Sequence, residues 1–118
     1  MAAKKKPIDF VKYAGTLAAL GTEPRLRILY HLLRAHPVGM VAGEIQGELG
    51  MRAPAVSHHL EKLKIASLVR VQREGTFLRY RANPGVLEEL LGFLVGQCCA
   101  GTKAVRAESV FQTCVTGR

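Results

Sequence analysis

The feature that most constrains the fold is a pair of short apolar-periodic segments joined by a four-residue turn. Residues 41–49 predict a short helix that Gly50 ends. Pro54 suits the first turn of a second helix that runs to about Ser67. The positions expected to face inward on the two helices are Ile45, Leu49, Val56, Leu60 and Leu63. Two short helices in this arrangement predict a helix-turn-helix.

The apolar pattern changes to a period of two directly after this motif. Leu68–Arg73 and Thr76–Ala82 predict two strands, and Glu74-Gly75 between them suits a tight hairpin turn with glycine at its second position. Asn83-Pro84 then predicts the start of a last helix. The apolar stripe of that helix follows helical spacing through Leu87, Leu90, Leu91, Leu94, Val95 and Cys98.

Two further helices are predicted before the motif. The first begins at Pro7 and ends at Gly21, with an apolar stripe of Ile8, Val11, Ala14, Leu17 and Ala18. The second follows Thr22 as its cap and ends at His36-Pro37, with a buried stripe of Leu26, Leu29, Leu32 and Leu33. The predicted fold is therefore mainly α with a β-hairpin wing, a winged helix-turn-helix. Residues 1–7 are expected to be a flexible basic arm, 8–100 the domain, and 101–118 a tail.

The net charge limits the class of partner. The 118 residues carry a formal charge of +8, which favours a polyanion such as nucleic acid or an anionic membrane surface. No stretch approaches the roughly 18–20 consecutive apolar residues that span a bilayer, so we expect no membrane partner. Three cysteines, two of them adjacent, do not form a disulfide framework. Reduced thiols in the cytoplasm are the better expectation.

Polar and basic side chains mark the predicted DNA-reading elements. The outer face of the helix that starts at Pro54 carries the candidate base contacts Ser57, His58, Glu61 and Lys62, with Lys62 suited to a phosphate. Arg52 in the turn could hold the DNA backbone, whereas His59 is expected to be packed. Alone, this face could be ordinary solvated surface. The predicted wing adds four arginines that could follow phosphates or enter a minor groove: Arg70, Arg73, Arg79 and Arg81.

Three segments together resemble a known family. Residues 18–29, 56–63 and 71–75 resemble the second helix, recognition helix and wing of the ArsR-type (ArsR/SmtB) metal- and metalloid-responsive repressors. The resemblance covers about residues 14–97. It implies a homodimer assembled through the first and last helices, which binds a palindromic operator in double-stranded DNA and releases it on ligand binding. Independently, the apolar stripe of residues 87–95 is wider than one small core needs, which suggests a symmetric interface.

The cysteines are the candidate sensor. Zinc commonly takes four Cys or His ligands, and three thiols without a nearby imidazole predict no zinc site. Trivalent arsenic or antimony prefers soft thiolates and uses up to three of them. Cys98-Cys99 resembles the C-terminal cysteine pair of arsenite-responsive members of the family, with Cys114 as the candidate third ligand. The resemblance thus implies As(III) or Sb(III) as inducer and no cofactor in the DNA-bound state.

Three alternatives remain open at this point. The cysteines could be structural, or Cys114 could form a disulfide with Cys98 or Cys99 in an oxidant-responsive repressor. The winged helix could instead bind a protein partner, in which case duplex binding would lack a steep salt dependence. No enzyme is expected, because no thiol has an activating neighbour in sequence and no phosphate-binding glycine loop or paired-carboxylate site is present.

Overall fold

A computed structural model of the chain describes residues 7–98. It confirms the predicted fold class, mainly helical with a small antiparallel sheet that forms the wing. The arm at residues 1–6 and the tail from residue 99 lie outside the described residues, so the predicted domain limits stay predictions. The elements in chain order are α1 (Phe10–Leu20), α2 (Glu23–Arg34), β1 (Met40–Val41), α3 (Ala42–Leu49), α4 (Ala53–Ile65), β2 (Val69–Glu74), β3 (Phe77–Ala82) and α5 (Pro84–Cys98).

Side-chain caps set the starts of the first two helices. The Asp9 carboxylate accepts a hydrogen bond from the backbone N–H of Lys12 at 3.0 Å, so α1 begins at Phe10 and not at Pro7 as predicted. The Thr22 hydroxyl accepts one from the N–H of Arg25 at 3.4 Å, which confirms the expected cap of α2. Helix α5 begins at Pro84 as predicted.

The sheet contains a strand that the sequence did not indicate. Met40 and Val41 pair with β3, and the strand order is β1-β3-β2. The prediction that Val41 belongs to the following helix was therefore wrong: its backbone N–H donates to the Glu44 carboxylate at 2.9 Å, and the helix starts one residue later. A strand of two residues is too short to show an alternating pattern, so periodicity could not reveal it.

The hairpin turn lies one residue later than predicted. Glu74 pairs with Phe77, so it belongs to β2, and the two-residue loop is Gly75-Thr76. Gly75 is the first turn residue, with φ of +62°, whereas Thr76 keeps a negative φ. A positive φ at the first position only is the pattern of a type II′ turn, which suits glycine there.

The core lies between the helix-turn-helix, α2 and the base of the sheet. All five inward positions predicted for α3 and α4 are buried or half-buried, which confirms that part of the pattern. The stripe predicted for α2 was partly wrong, because Leu26 and Leu33 are exposed and Ile28 is buried in their place. The largest fully buried side chains are Ile28, Leu32, Ile45, Val56, Leu60, Leu63, Leu68 and Val69.

The stripe predicted for α1 does not face this core. The chain buries Thr16 and Ala19 of α1 instead, and Leu17 remains 46% exposed. In α5, only Leu90 of the predicted stripe is fully buried. The two terminal helices therefore contribute small or few side chains to the core and leave much of their apolar surface uncovered.

Candidate nucleic-acid interface and thiol end

The helix-turn-helix is held by a left-handed glycine and by one buried face of α4. Gly50 ends α3 with φ of +65°, and its N–H donates to the carbonyl oxygen of Gln46 at 2.8 Å. Helix α4 then buries Val56, Leu60 and Leu63. Because these three side chains anchor one face, the opposite face of α4 is turned to solvent.

The predicted base-reading side chains lie on that solvent face. Ser57, His58 and Glu61 are exposed near the start of α4, where a helix docked in a major groove reads base edges. Arg52 occupies the N-cap position without a side-chain capping bond, and its side chain is exposed. Lys62 is exposed too, but it lines a cleft against α1. The structure thus confirms exposure of these residues, and their contacts with DNA stay predictions.

His59 is half-buried beside the reading face, in accordance with the expectation that it is packed. Its Nδ1 lies 3.4 Å from Nη1 of Arg25, whose Nε donates to the carbonyl oxygen of Ala19 at 2.6 Å. An arginine can only donate, so the contact requires an unprotonated Nδ1. Burial, the Arg25 charge and His58 all lower the pKa of His59. Sequence alone gave no signal for this link between the end of α1 and α4.

This lowered pKa predicts a stability that depends on pH. The unfolded chain binds a proton at His59 more readily than the folded chain, so the contribution of neutral His59 is complete above its unfolded pKa, about 6.5. It is lost as pH falls through the lower folded pKa. We expect His59→Asn, which keeps an acceptor near Nδ1, to flatten the loss of stability between pH 7.5 and 5.5 in urea titrations. An unchanged pH dependence would contradict this account.

The four wing arginines fall into two groups. Arg79 donates from Nε to the Glu74 carboxylate at 2.8 Å and from Nη1 to the Gly39 carbonyl oxygen at 3.4 Å. Arg81 donates from Nε to the carbonyl oxygen of Pro37 at 3.1 Å and also contacts Glu74. Both guanidinium groups therefore bind the segment before β1 and hold the wing against it. This role was not predicted.

The other two wing arginines are exposed. Arg70 lies near the base of β2, and Arg73 lies near the hairpin turn, where its Nη1 is 3.5 Å from the carbonyl oxygen of Gly75. Within residues 7–98 neither forms an ion pair within 4.0 Å. Of the predicted phosphate-binding arginines of the wing, these two are the ones whose charge faces solvent.

The predicted thiol site begins at the end of α5. Cys98 is the last described residue of α5, and its Sγ donates to the carbonyl oxygen of Val95 at 3.3 Å. The side chain is exposed in the single chain, and its role as a ligand or as a structural residue stays a prediction. Cys99 and Cys114 lie outside the described residues. In the part of the chain that the structure describes, no three His, Cys, Asp or Glu side chains are grouped so as to hold a metal ion.

Helices α1 and α5 pack together and leave large apolar side chains exposed. Tyr13 stacks on Phe93 with ring centroids 4.3 Å apart, and Phe10 meets the same ring edge-on at 6.1 Å. Glu89 accepts hydrogen bonds from Lys12 at 2.6 Å and from the Tyr13 hydroxyl at 3.0 Å, and these bonds lower the pKa of Glu89. The α1–α5 surface is the name used here for four exposed apolar side chains of these helices: Phe10, Leu17, Leu91 and Leu94.

Comparison with known proteins agrees with this geometry. Residues 20–72 match the sequence profile of a helix-turn-helix domain family. The transcriptional repressor SdpR of Bacillus subtilis is 31% identical over 74 residues, which cover 63% of this chain and 80% of SdpR. The regulator KmtR of Mycobacterium tuberculosis is 39% identical over 72 residues, 61% of this chain and 53% of KmtR. The chain thus matches only about half the length of KmtR.

A solved structure gives the same result for the fold. The homodimeric winged helix-turn-helix DNA-binding domain of Mb0332 from Mycobacterium bovis, a possible ArsR-family transcriptional regulator, superposes with a TM-score of 0.61. It is 27% identical and covers 76% of this chain and 82% of that domain.

No helix among residues 7–98 is both long enough and apolar enough to cross a bilayer.

The fold and the exposed reading helix define a winged helix-turn-helix DNA-binding protein. The chain belongs to the ArsR-type family of transcriptional regulators. This is a family of DNA-binding regulators, not of enzymes.

Proposed function

We propose that the protein is a homodimeric transcriptional repressor that releases its operator when trivalent arsenic or antimony binds its cysteine thiolates. The observation that carries this proposal is the exposed Cys98 thiol at the end of α5, next to the α1–α5 surface. A ligand held there would act on the helix that we expect to join the two subunits. The operator is expected to be a palindrome, because a two-fold dimer presents two copies of α4.

The α1–α5 surface supports the homodimer. Leu17, Leu91 and Leu94 are 46%, 36% and 44% exposed on two helices that pack against each other. Large apolar side chains exposed on adjacent helices are unfavourable in water and favour an interaction site. A second copy of the same surface would cover it, and the similarity to a homodimeric domain supports that arrangement.

Soft-ligand chemistry supports the inducer. Trivalent arsenic exchanges its hydroxyl groups for thiolates, and two or three sulfurs complete its coordination. Cys98 and Cys99 are neighbours in sequence at the point where α5 ends among the described residues, and Cys114 is the candidate third ligand. Adjacent residues on a helix point about 100° apart, so both thiols can reach one arsenic atom only if the helix opens there.

The two groups of wing arginines predict different salt dependences of DNA binding. Arg73→Gln is expected to weaken binding to all duplexes and to lower the slope of log K against log salt by about one per subunit, because one phosphate contact is lost. Arg79→Gln is the matched control and is expected to leave the slope unchanged, since its guanidinium is held by Glu74 and Gly39. Fluorescence anisotropy between 50 and 200 mM salt measures both slopes. A lower slope for the Arg79 variant alone would reverse the assignment.

The experiment that tests the proposed inducer separates it from the redox alternative. An operator is first selected from random duplexes with the purified protein, and binding is then followed in mobility shifts. With the thiols kept reduced, arsenite is expected to release the DNA, and Cys98→Ser or Cys99→Ser is expected to abolish the release. Release by a disulfide-forming oxidant such as diamide, with no effect of arsenite, would instead establish a thiol-redox repressor.

Cys114 needs a test of its own. A monomethyl arsenical keeps one carbon bond and needs two thiolates, whereas arsenite can use three. If Cys114 is a ligand, Cys114→Ser loses the response to arsenite and keeps the response to the methylated form. If both responses persist, the site consists of Cys98 and Cys99 only.

A further inference from the structure

We propose that a cleft between α1, the end of α4 and the start of α5 binds a small organic anion with an apolar body. The cleft has a volume of about 700 Å³, within the range of small-molecule sites. Its walls combine apolar and cationic side chains, which is the composition that such a ligand requires. The lining residues used below are Val11, Arg25, Lys62, Ile65, Val86 and Glu89.

Two cations in the cleft have no acidic partner. Arg25 and Lys62 both line it, and neither forms an ion pair within 4.0 Å among the described residues. The carboxylate of Glu89 also lines the cleft, but it is bound to Lys12 at 2.6 Å and to Tyr13 at 3.0 Å. A net positive charge therefore remains in the cleft, and a carboxylate, sulfonate or phosphate group would complement it.

Apolar side chains beside these cations can hold the body of the ligand. Val11 of α1 and Ile65 of α4 line the cleft and are 84% and 70% exposed. Val86 of α5 contributes a half-buried wall. A ring or short chain placed between them would remove this surface from water, and burial of that surface favours binding.

This site differs from both sites described above. Val11 and Leu17 are six positions apart, which places them roughly 120° apart around α1, so the cleft and the α1–α5 surface use different flanks of that helix. On α5 the cleft uses Val86 and Glu89, near the start of the helix. Cys98 is nine residues beyond Glu89, roughly 13 Å along the helix axis.

A ligand in the cleft would also be sensed by the reading helix. The guanidinium of Arg25 has N–H groups beyond the two that bind Ala19 and His59, and an anion would engage them. Any shift of Arg25 would alter its contact with His59, the residue next to the predicted base reader His58. This consequence, unlike the binding site itself, rests on the proposed function.

The binding site is tested with 8-anilinonaphthalene-1-sulfonate as the probe, on the full chain without DNA. Fluorescence titration is expected to show Lys62→Glu weakening binding at least about fivefold, because one attractive charge is replaced by a repulsive one. Lys62→Arg is expected to retain binding. Lys64→Glu is the matched control, with the same charge change two residues away and outside the cleft, and should leave affinity within about twofold. Equal losses in both glutamate variants would overturn the site.

Two further measurements test whether the probe binds in the cleft or to apolar surface elsewhere on the protein. N-phenyl-1-naphthylamine has the same rings without the sulfonate, so its affinity should not distinguish Lys62→Glu from the wild type. Amide chemical shifts on adding the anionic probe should change at Gly15 and Ala66, which line the cleft. Changes confined to Leu91 and Leu94 would overturn the proposal. Normal probe binding without any effect on operator affinity would reject only the link to the reading helix.

Discussion

Leu94→Asp is expected to convert the protein to a monomer and to weaken operator binding by about 100-fold or more. Leu94 is 44% exposed on α5, beside Leu91 and close to the aromatic contacts that join α5 to α1. In the proposed dimer it is covered, and a carboxylate buried there would be strongly unfavourable. The loss in DNA affinity follows because two linked reading helices bind about 10² to 10⁴ times more tightly than one.

In Leu94→Asp, the oligomeric state of the protein and its affinity for the operator should change together. Analytical ultracentrifugation measures the first and fluorescence anisotropy the second, on the same samples. Val38→Asp is the matched control, because Val38 is 64% exposed and lies outside α1 and α5. A dimeric Leu94→Asp protein with normal operator affinity would show that another surface joins the subunits.

Gly39→Ala is expected to lower the free energy of unfolding by about 3 kcal/mol. Gly39 has φ of +80°, a backbone conformation that costs an L side chain roughly 1–2 kcal/mol. A Cβ atom there would also overlap the carbonyl oxygen of Tyr80 and lie 2.7 Å from Cγ of Arg81. Since that carbonyl belongs to β3, the overlap can be relieved only by moving backbone, which adds to the strain.

A second glycine in the same region provides the control. Gly47 lies within α3, and an added Cβ would meet no atom within 4 Å. Gly47→Ala should therefore stabilise the protein by roughly 0.5–1 kcal/mol, because alanine favours the helix. Urea unfolding of both variants gives the comparison. Equal stabilities for the two alanine variants would contradict the close approach of β3 to Gly39.

Periodicity predicted the helices and the hairpin because each has enough residues to repeat a pattern. It could not reveal β1, since two residues cannot alternate. Periodicity also does not indicate whether an apolar stripe packs against the core of the same chain or against a second chain. The side chains of the stripe predicted for α1 are exposed, Val11 and Leu17 lie on different flanks of the helix, and Thr16 and Ala19 pack against the core instead. An apolar face that meets a second chain and one that meets the core have the same spacing.

The candidate DNA-binding residues show the same limit. Helical spacing correctly predicted that Ser57 and His58 are exposed, because both follow from the buried face of α4. The wing arginines looked equivalent in sequence. In the structure Glu74 binds Arg79 and Arg81, and these ion pairs distinguish the two from the exposed Arg70 and Arg73. The predicted turn included Glu74, which lies in β2. Because the turn was predicted one residue too early, there was no reason in the sequence to expect the ion pairs of Glu74 with Arg79 and Arg81.

Control of DNA binding by thiolates at the end of α5 is the core of the proposed function. Its most direct test is the operator affinity of the wild type and of Cys98→Ser, measured by anisotropy with and without saturating arsenite under reducing conditions. We predict that arsenite weakens wild-type binding roughly 5- to 150-fold, the range of an ordinary allosteric coupling, and leaves Cys98→Ser unchanged. Equal affinities of the wild type with and without arsenite would contradict the claim.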